Sequence, residues 1–120
     1  MKGSEHIILP IGEWDAELQR PLTDTKMTGR EIAYTTIYRD QTNGREGTSW
    51  ELYRLTNGNY LLWWEEWEAH GNHTSVADYA ILDELPKPGV RYEGTLYSFD
   101  GQFRSPPVPA ELIEIVKEGL

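Results

Sequence analysis

No cysteine occurs in this sequence. That removes disulfides, thiolate metal ligands and thiol nucleophiles together, and it suits a reducing compartment where disulfides are rare. Long apolar runs are missing as well. Nothing approaches the ~18 consecutive apolar residues of a membrane helix. The nearly apolar stretch from Ile7 to Ile11 is too short for the core of a secretory signal. These absences predict a soluble, cytoplasmic protein with no membrane partner. Basic residues are scarce, with 11 Lys and Arg against 20 Asp and Glu, a net charge of −9 and a pI near 4.7. Affinity for a phosphate backbone comes largely from Lys and Arg. Arg30, Arg39, Arg45 and Arg54 are scattered among acids, so direct nucleic-acid binding is not expected.

Catalytic signatures are equally sparse. There is no Gly-rich phosphate loop, no Gly-x-Ser-x-Gly elbow and no His-Glu-x-x-His, and no cofactor is implied. His70 and His73 bracket Gly71-Asn72 in a loop, and Glu66 or Glu68 could stand nearby. A third convincing ligand is lacking, so no metal site is expected. Asn72-His73-Thr74 matches a glycosylation acceptor, which has no consequence without a secretory signal. Carboxylates are plentiful, but abundance is not geometry. Glu51 is the one acid set within an apolar strand pattern, which makes it the first to inspect for burial.

What the chain does have is tryptophan, and four of its five lie between Trp50 and Trp67. This stretch reads as two β-strands around Asn57-Gly58, a pair that accepts positive φ in a two-residue turn. That turn places Tyr53 opposite Leu62, Glu51 opposite Trp64 and Trp50 opposite Glu65. Alternation sends Trp63 and Trp64 to opposite faces, and both faces are apolar. The hairpin is therefore expected at the centre of the fold, with both sides covered, or with one side left open as a binding surface.

The remaining elements follow from local pattern. Residues 1–28 are punctuated by Pro10, Gly12 and Pro21 and read as a loosely structured arm. A helical turn is possible over Glu13 to Arg20, with Trp14 anchoring it. Arg30 to Arg39 is β-branched and aromatic, hence a strand, and Asp40 to Gly47 is a loop. Thr74 to Leu85 fits a strand better than a helix, because Val76, Tyr79 and Ile81 crowd a short run. Pro86-Lys87-Pro88-Gly89 ends it. Val90 to Tyr97 reads as a strand, with a short return strand after Asp100-Gly101. Pro109 suits a first helical position. Leu112, Ile113, Val116 and Leu120 then form one apolar stripe.

The fold class expected is α+β in one domain, residues 1–120. A curved, mainly antiparallel sheet of four to six strands, or partial barrel, occupies a β-rich body over 29–104. One C-terminal helix over 109–119 packs on it. The arm, sheet curvature or a second copy of the chain in a homodimer would close the second face.

Between Arg54 and Lys87 there is no Lys or Arg, while Glu65, Glu66, Glu68, Asp78, Asp83 and Glu84 all fall there. Indoles and carboxylates together suggest a recognition surface made of Trp63, Trp64, Glu65, Glu66, Trp67, Glu68, Asp83 and Glu84. The leading expectation is a small acidic regulator or inhibitor that binds another protein. In its specific form the carboxylates imitate phosphates in a basic, nucleic-acid-handling groove, as a phage or plasmid counter-defence factor would. A small-molecule or carbohydrate-binding domain using the indoles is the second reading. An enzyme with a carboxylate-based site is the third.

Overall fold

The computed structural model describes residues 5–14, 22–38, 46–68, 74–98 and 101–119. The strands are β1 (Glu5–Pro10), β2 (Gly12–Trp14), β3 (Leu22–Tyr38), β4 (Glu46–Leu55), β5 (Tyr60–Glu68), β6 (Thr74–Leu82), β7 (Glu93–Ser98) and β8 (Gly101–Arg104). One helix, α1 (Ala110–Glu118), follows. The main sheet is antiparallel in the order β1-β3-β4-β5-β6-β2. Successive pieces of one stretch, β1 and β2, pair with opposite edges: β1 with β3, β2 with β6. A stretch this short can reach both edges only if the sheet curls toward it. The fold is thus an α+β half-barrel, as the pattern predicts.

Gly12 makes the bridging possible. Its φ of 112° lies in a region that side chains avoid, and it sits where β1 gives way to β2. The predicted loose arm is therefore corrected: Ile7, Leu9 and Ile11 are buried and bring these strands onto the sheet's inner face. Glu13 and Trp14 belong to β2 rather than to a helical turn. The rest of that turn lies outside the described residues, as do the 40–45 loop and His70 to His73. Strand β3 also starts earlier than expected, at Leu22, because β1 pairs with its first half.

The hairpin register is shifted by one residue from the expected one. Trp50 pairs with Trp64, Glu51 with Trp63 and Tyr53 with Leu61. The turn is a three-residue loop, Thr56 to Gly58, in which Gly58 has φ 95°. The Gly58 N–H donates to the Leu55 carbonyl at 3.0 Å, and the Leu55 N–H donates to Asn59 O at 2.9 Å. The Asn57 side chain accepts the Asn59 N–H at 3.0 Å, so Asn57 stabilises the loop by hydrogen bonding while glycine supplies the left-handed step.

Both hairpin faces are buried. On the outer face Ala33, Trp50, Leu52, Leu62, Trp64 and Ala80 meet Val108, Leu112, Ile113 and Val116 from α1 and its approach. The Trp50 and Trp64 rings lie 6.3 Å apart, tilted by 42°, a geometry worth about 0.5–1.5 kcal/mol beyond burial. On the inner face Leu55, Leu61, Trp63 and Ala77 meet Ile7 and Leu9 of β1 and the following Ile11. Helix α1 is too short to persist alone. Docking Leu112, Ile113 and Val116 contributes roughly 1.5–3 kcal/mol per side chain. Pro109 is its N-cap (φ −76°, ψ 144°), one residue before the expected position.

Strand β7 starts at Glu93 rather than Val90. The backbone just before it bonds elsewhere: Val108 N–H donates to Val90 O at 3.0 Å and Ser105 N–H to Tyr92 O at 2.8 Å. The β7–β8 hairpin is pinned to β6 by Asp78, which is 0 % exposed. Its Oδ1 accepts the Tyr79 N–H at 2.8 Å and the Thr95 hydroxyl at 2.6 Å. The Thr95 N–H reaches both carboxylate oxygens at 2.9 Å. Among the described residues, no helix is long and apolar enough to cross a membrane.

Candidate functional site

The inner face is not covered evenly. Ile7, Leu9 and Ile11 pack with Leu55, Leu61, Trp63 and Ala77, while Tyr34 and Tyr38 of β3 remain 52 % and 49 % exposed. Period two puts Tyr34, Thr36 and Tyr38 on this same face. Pairing sets Tyr34 beside Glu51, Thr36 beside Ser49 and Tyr38 beside Gly47. The next strand adds Glu65 beside Ser49 and Trp67 beside Gly47. The far end of the face is thus a strip of aromatic and acidic side chains carried on three adjacent strands.

Local contacts fix the strip. The Tyr38 and Trp67 rings meet edge to face at 5.7 Å and 87°. Trp67 lies across Gly47, where an added Cβ would sit 2.5 Å from the indole Cη2. Glycine is therefore required there by a close approach. Tyr34 Oη and Thr36 Oγ1 are hydrogen-bonded at 3.1 Å, and Thr36 Oγ1 and Ser49 Oγ at 3.3 Å. Ser75 Oγ donates to Glu65 Oε2 at 3.2 Å. Aromatic groups held this way lose little entropy on meeting a partner.

Beside the strip, Glu51 is half-buried and accepts a hydrogen bond from the Tyr53 hydroxyl. Burial, the Glu51 acceptor and its charge, and the charge of Glu31 together push the Tyr53 phenol far above its ordinary range. Tyr53 therefore stays protonated at neutral pH, where it can donate a hydrogen bond but cannot act as a base. Among the described residues no group of three or more His, Asp or Glu is placed to hold a metal ion.

Compared with protein-family models, curated proteins and solved structures, the chain matches none.

The structure scatters the residues nominated by sequence. Trp63 is 3 % exposed in the inner core and Trp64 0 % exposed in the outer core. They point to opposite faces and form no common cage. Glu65 and Trp67 come together in the strip. Glu66 lies on the outer face, with Thr48 and Val76 as its register neighbours. Glu68 pairs with Glu46 and Thr74 along the backbone, and its side chain is outside those described. Asp83 and Glu84 are exposed after the opposite end of β6, where Glu84 meets Lys87 at 3.7 Å. Tyr34 and Tyr38 were missed by sequence reasoning. Their signal was readable: two tyrosines four apart in a strand share a face.

Proposed function

We propose that this chain is a non-enzymatic regulator that binds a protein through the open end of the inner sheet face. One observation carries the reading: Tyr34 and Tyr38 stand half-exposed beside the packed Trp67, flanked by Glu51 and Glu65. Tyrosine and tryptophan dominate interface hot spots because they bury much area and keep a polar end. The strip rests on central strands, so it is rigid before binding. A net charge of −9 favours a basic partner and speeds encounter with one. Glu51 and Glu65 set their carboxylates on the same face as the aromatic rings. In the inhibitor form of the proposal, these carboxylates take the place of phosphates in the groove of a nucleic-acid-handling protein.

The test is capture of the partner from the native host, followed by titration calorimetry with variants. Tyr34→Ser with Tyr38→Ser should weaken binding by at least about tenfold, the scale of a hot-spot loss. Glu65→Lys should weaken it more at low salt than at high salt. Unchanged affinity in the tyrosine pair would overturn the assignment of the strip. Unchanged affinity in the charge-reversed variant would overturn phosphate imitation.

A further inference from the structure

We propose that a groove at the opposite end of the sheet, on the outer face, binds a carboxylate carried on an apolar body. The groove has a volume of about 530 Å³, within the range of small-molecule sites. It lies between the bulged part of β3 and the last turn of α1. Arg30, Arg54 and Tyr60 form one side, and Ile32, Leu85 and Val116 supply the apolar lining.

The two arginines are the anomaly. In a chain with 11 basic and 20 acidic residues, Arg30 and Arg54 are direct cross-strand partners. Like charges placed opposite each other are destabilising. Among the described residues neither is ion-paired. Glu31 also lines the groove, but it acts on Tyr53, on the other side of the sheet. The end of α1 explains part of the arrangement, since cations are favoured at a helix C-terminus. That end carries only about half an elementary negative charge, against two full positive charges. The irregularity between Glu31 and Ala33 brings Ile32 to the outer core and breaks the alternation beside Arg30. Bulges of this kind re-aim side chains at binding sites.

Arg54 is already oriented. Its guanidinium lies 4.6 Å from the centre of the Tyr60 ring and donates to the Tyr60 hydroxyl. The remaining N–H groups of a planar fork match a carboxylate. A dianionic phosphate would meet about twice the repulsion from the molecule's net charge. The apolar lining asks for a hydrocarbon body behind the anion. This inference is independent of the aromatic strip, which lies on the other face and at the other end.

The test is a backbone-amide and arginine-Nε NMR titration of the full chain with hexanoate, acetate, 1-hexanol and hexyl phosphate. Hexanoate should shift Ile32, Val116, Gly119 and the Nε signals of both arginines. Affinity should rise by up to about fourfold per methylene from acetate to hexanoate. Hexanol should bind at least about tenfold more weakly, having lost the charge-assisted bonds. Arg30→Gln and Arg54→Gln should each weaken hexanoate by at least about fivefold, and Arg54→Lys should not restore it. Arg30→Gln should leave the urea midpoint unchanged or raised, which separates lost binding from lost folding. Three results would overturn the proposal: hexanoate shifts that map elsewhere or are absent, equal binding of hexanol, or tighter binding of hexyl phosphate. Unchanged affinity in both glutamine variants would do the same.

Discussion

Asp78 holds the β7–β8 hairpin against the sheet, and its removal is the sharpest test of how the fold is joined. Asp78→Ala deprives the Thr95 N–H and hydroxyl of their acceptor and takes one from the Tyr79 N–H. An orphaned buried donor costs about 1–3 kcal/mol. Part of that is offset, because the folded state no longer desolvates a carboxylate and Thr95 itself is solvent-exposed. A net loss of about 3 kcal/mol is expected. Asp78→Asn should do almost as badly despite its matching shape. The Thr95 N–H reaches both oxygens at 2.9 Å, so either amide orientation sets an NH₂ group against a donor. Gly94 provides the control. Its φ is not positive, but a Cβ there would overlap the Asp78 carboxylate. Gly94→Ala should therefore be destabilising in the native background and much milder beside Asp78→Ala, with a coupling of about 1–3 kcal/mol. Urea unfolding followed by tryptophan fluorescence measures all four variants. With a slope of about 1–3 kcal/mol/M, the alanine variant should lose at least about 1 M in midpoint. A midpoint for Asp78→Asn near that of the native chain, or equal Gly94→Ala effects in both backgrounds, would refute the reasoning.

Other outcomes follow from single groups. The raised Tyr53 phenol stabilises the fold fully below the ordinary phenol value near 10. That stability is lost as pH rises above it, because the unfolded phenol ionises first; Tyr53→Phe should flatten the fall in urea midpoint between about pH 9.5 and 11.5. Gly47→Ala should displace the Trp67 indole and change near-ultraviolet circular dichroism while the main hairpin survives, and an unaltered spectrum would contradict the close approach. Gly58→Ala meets no neighbouring atom, so its cost should be the conformational one alone, about 1 kcal/mol in urea unfolding. The Trp64 Nε1 is buried without a hydrogen-bond partner among the described residues. Trp64→Phe should therefore cost less in urea midpoint than Trp50→Phe, because it removes an unmet donor along with the lost volume.

Much of this architecture was legible. Period-two alternation in β4 and β5 showed two apolar faces, and two apolar faces require two covers. The stripe of Leu112, Ile113 and Val116 identified the outer one. The inner cover was harder to see. Ile7, Leu9 and Ile11 alternate as a strand should, but Pro10 and Gly12 among them read as loop punctuation. Those two residues mark where one stretch changes from pairing with one edge to pairing with the other. Asp78 was illegible for a different reason. Its acceptors are satisfied by Thr95, seventeen residues away, and no local pattern reveals that such a partner exists.

The shifted hairpin register shows how a small local difference governs the reading of a site. A two-residue turn at Asn57-Gly58 would set Glu51 opposite Trp64 and Trp50 opposite Glu65, mixing indoles and acids across the hairpin. The three-residue loop instead pairs Trp50 with Trp64 and Glu51 with Trp63. The outer face then becomes an indole pair sealed under α1. On the inner face, Glu51 leads along the same side to Ser49 and Gly47, which bring in Glu65 and Trp67. Only Gly47, with no side chain, lets the Trp67 indole cross to meet Tyr38. The conformational freedom of Gly58 at one end of the hairpin and the missing side chain of Gly47 at the other thus separate the tryptophans that build the core from the one that can meet a partner.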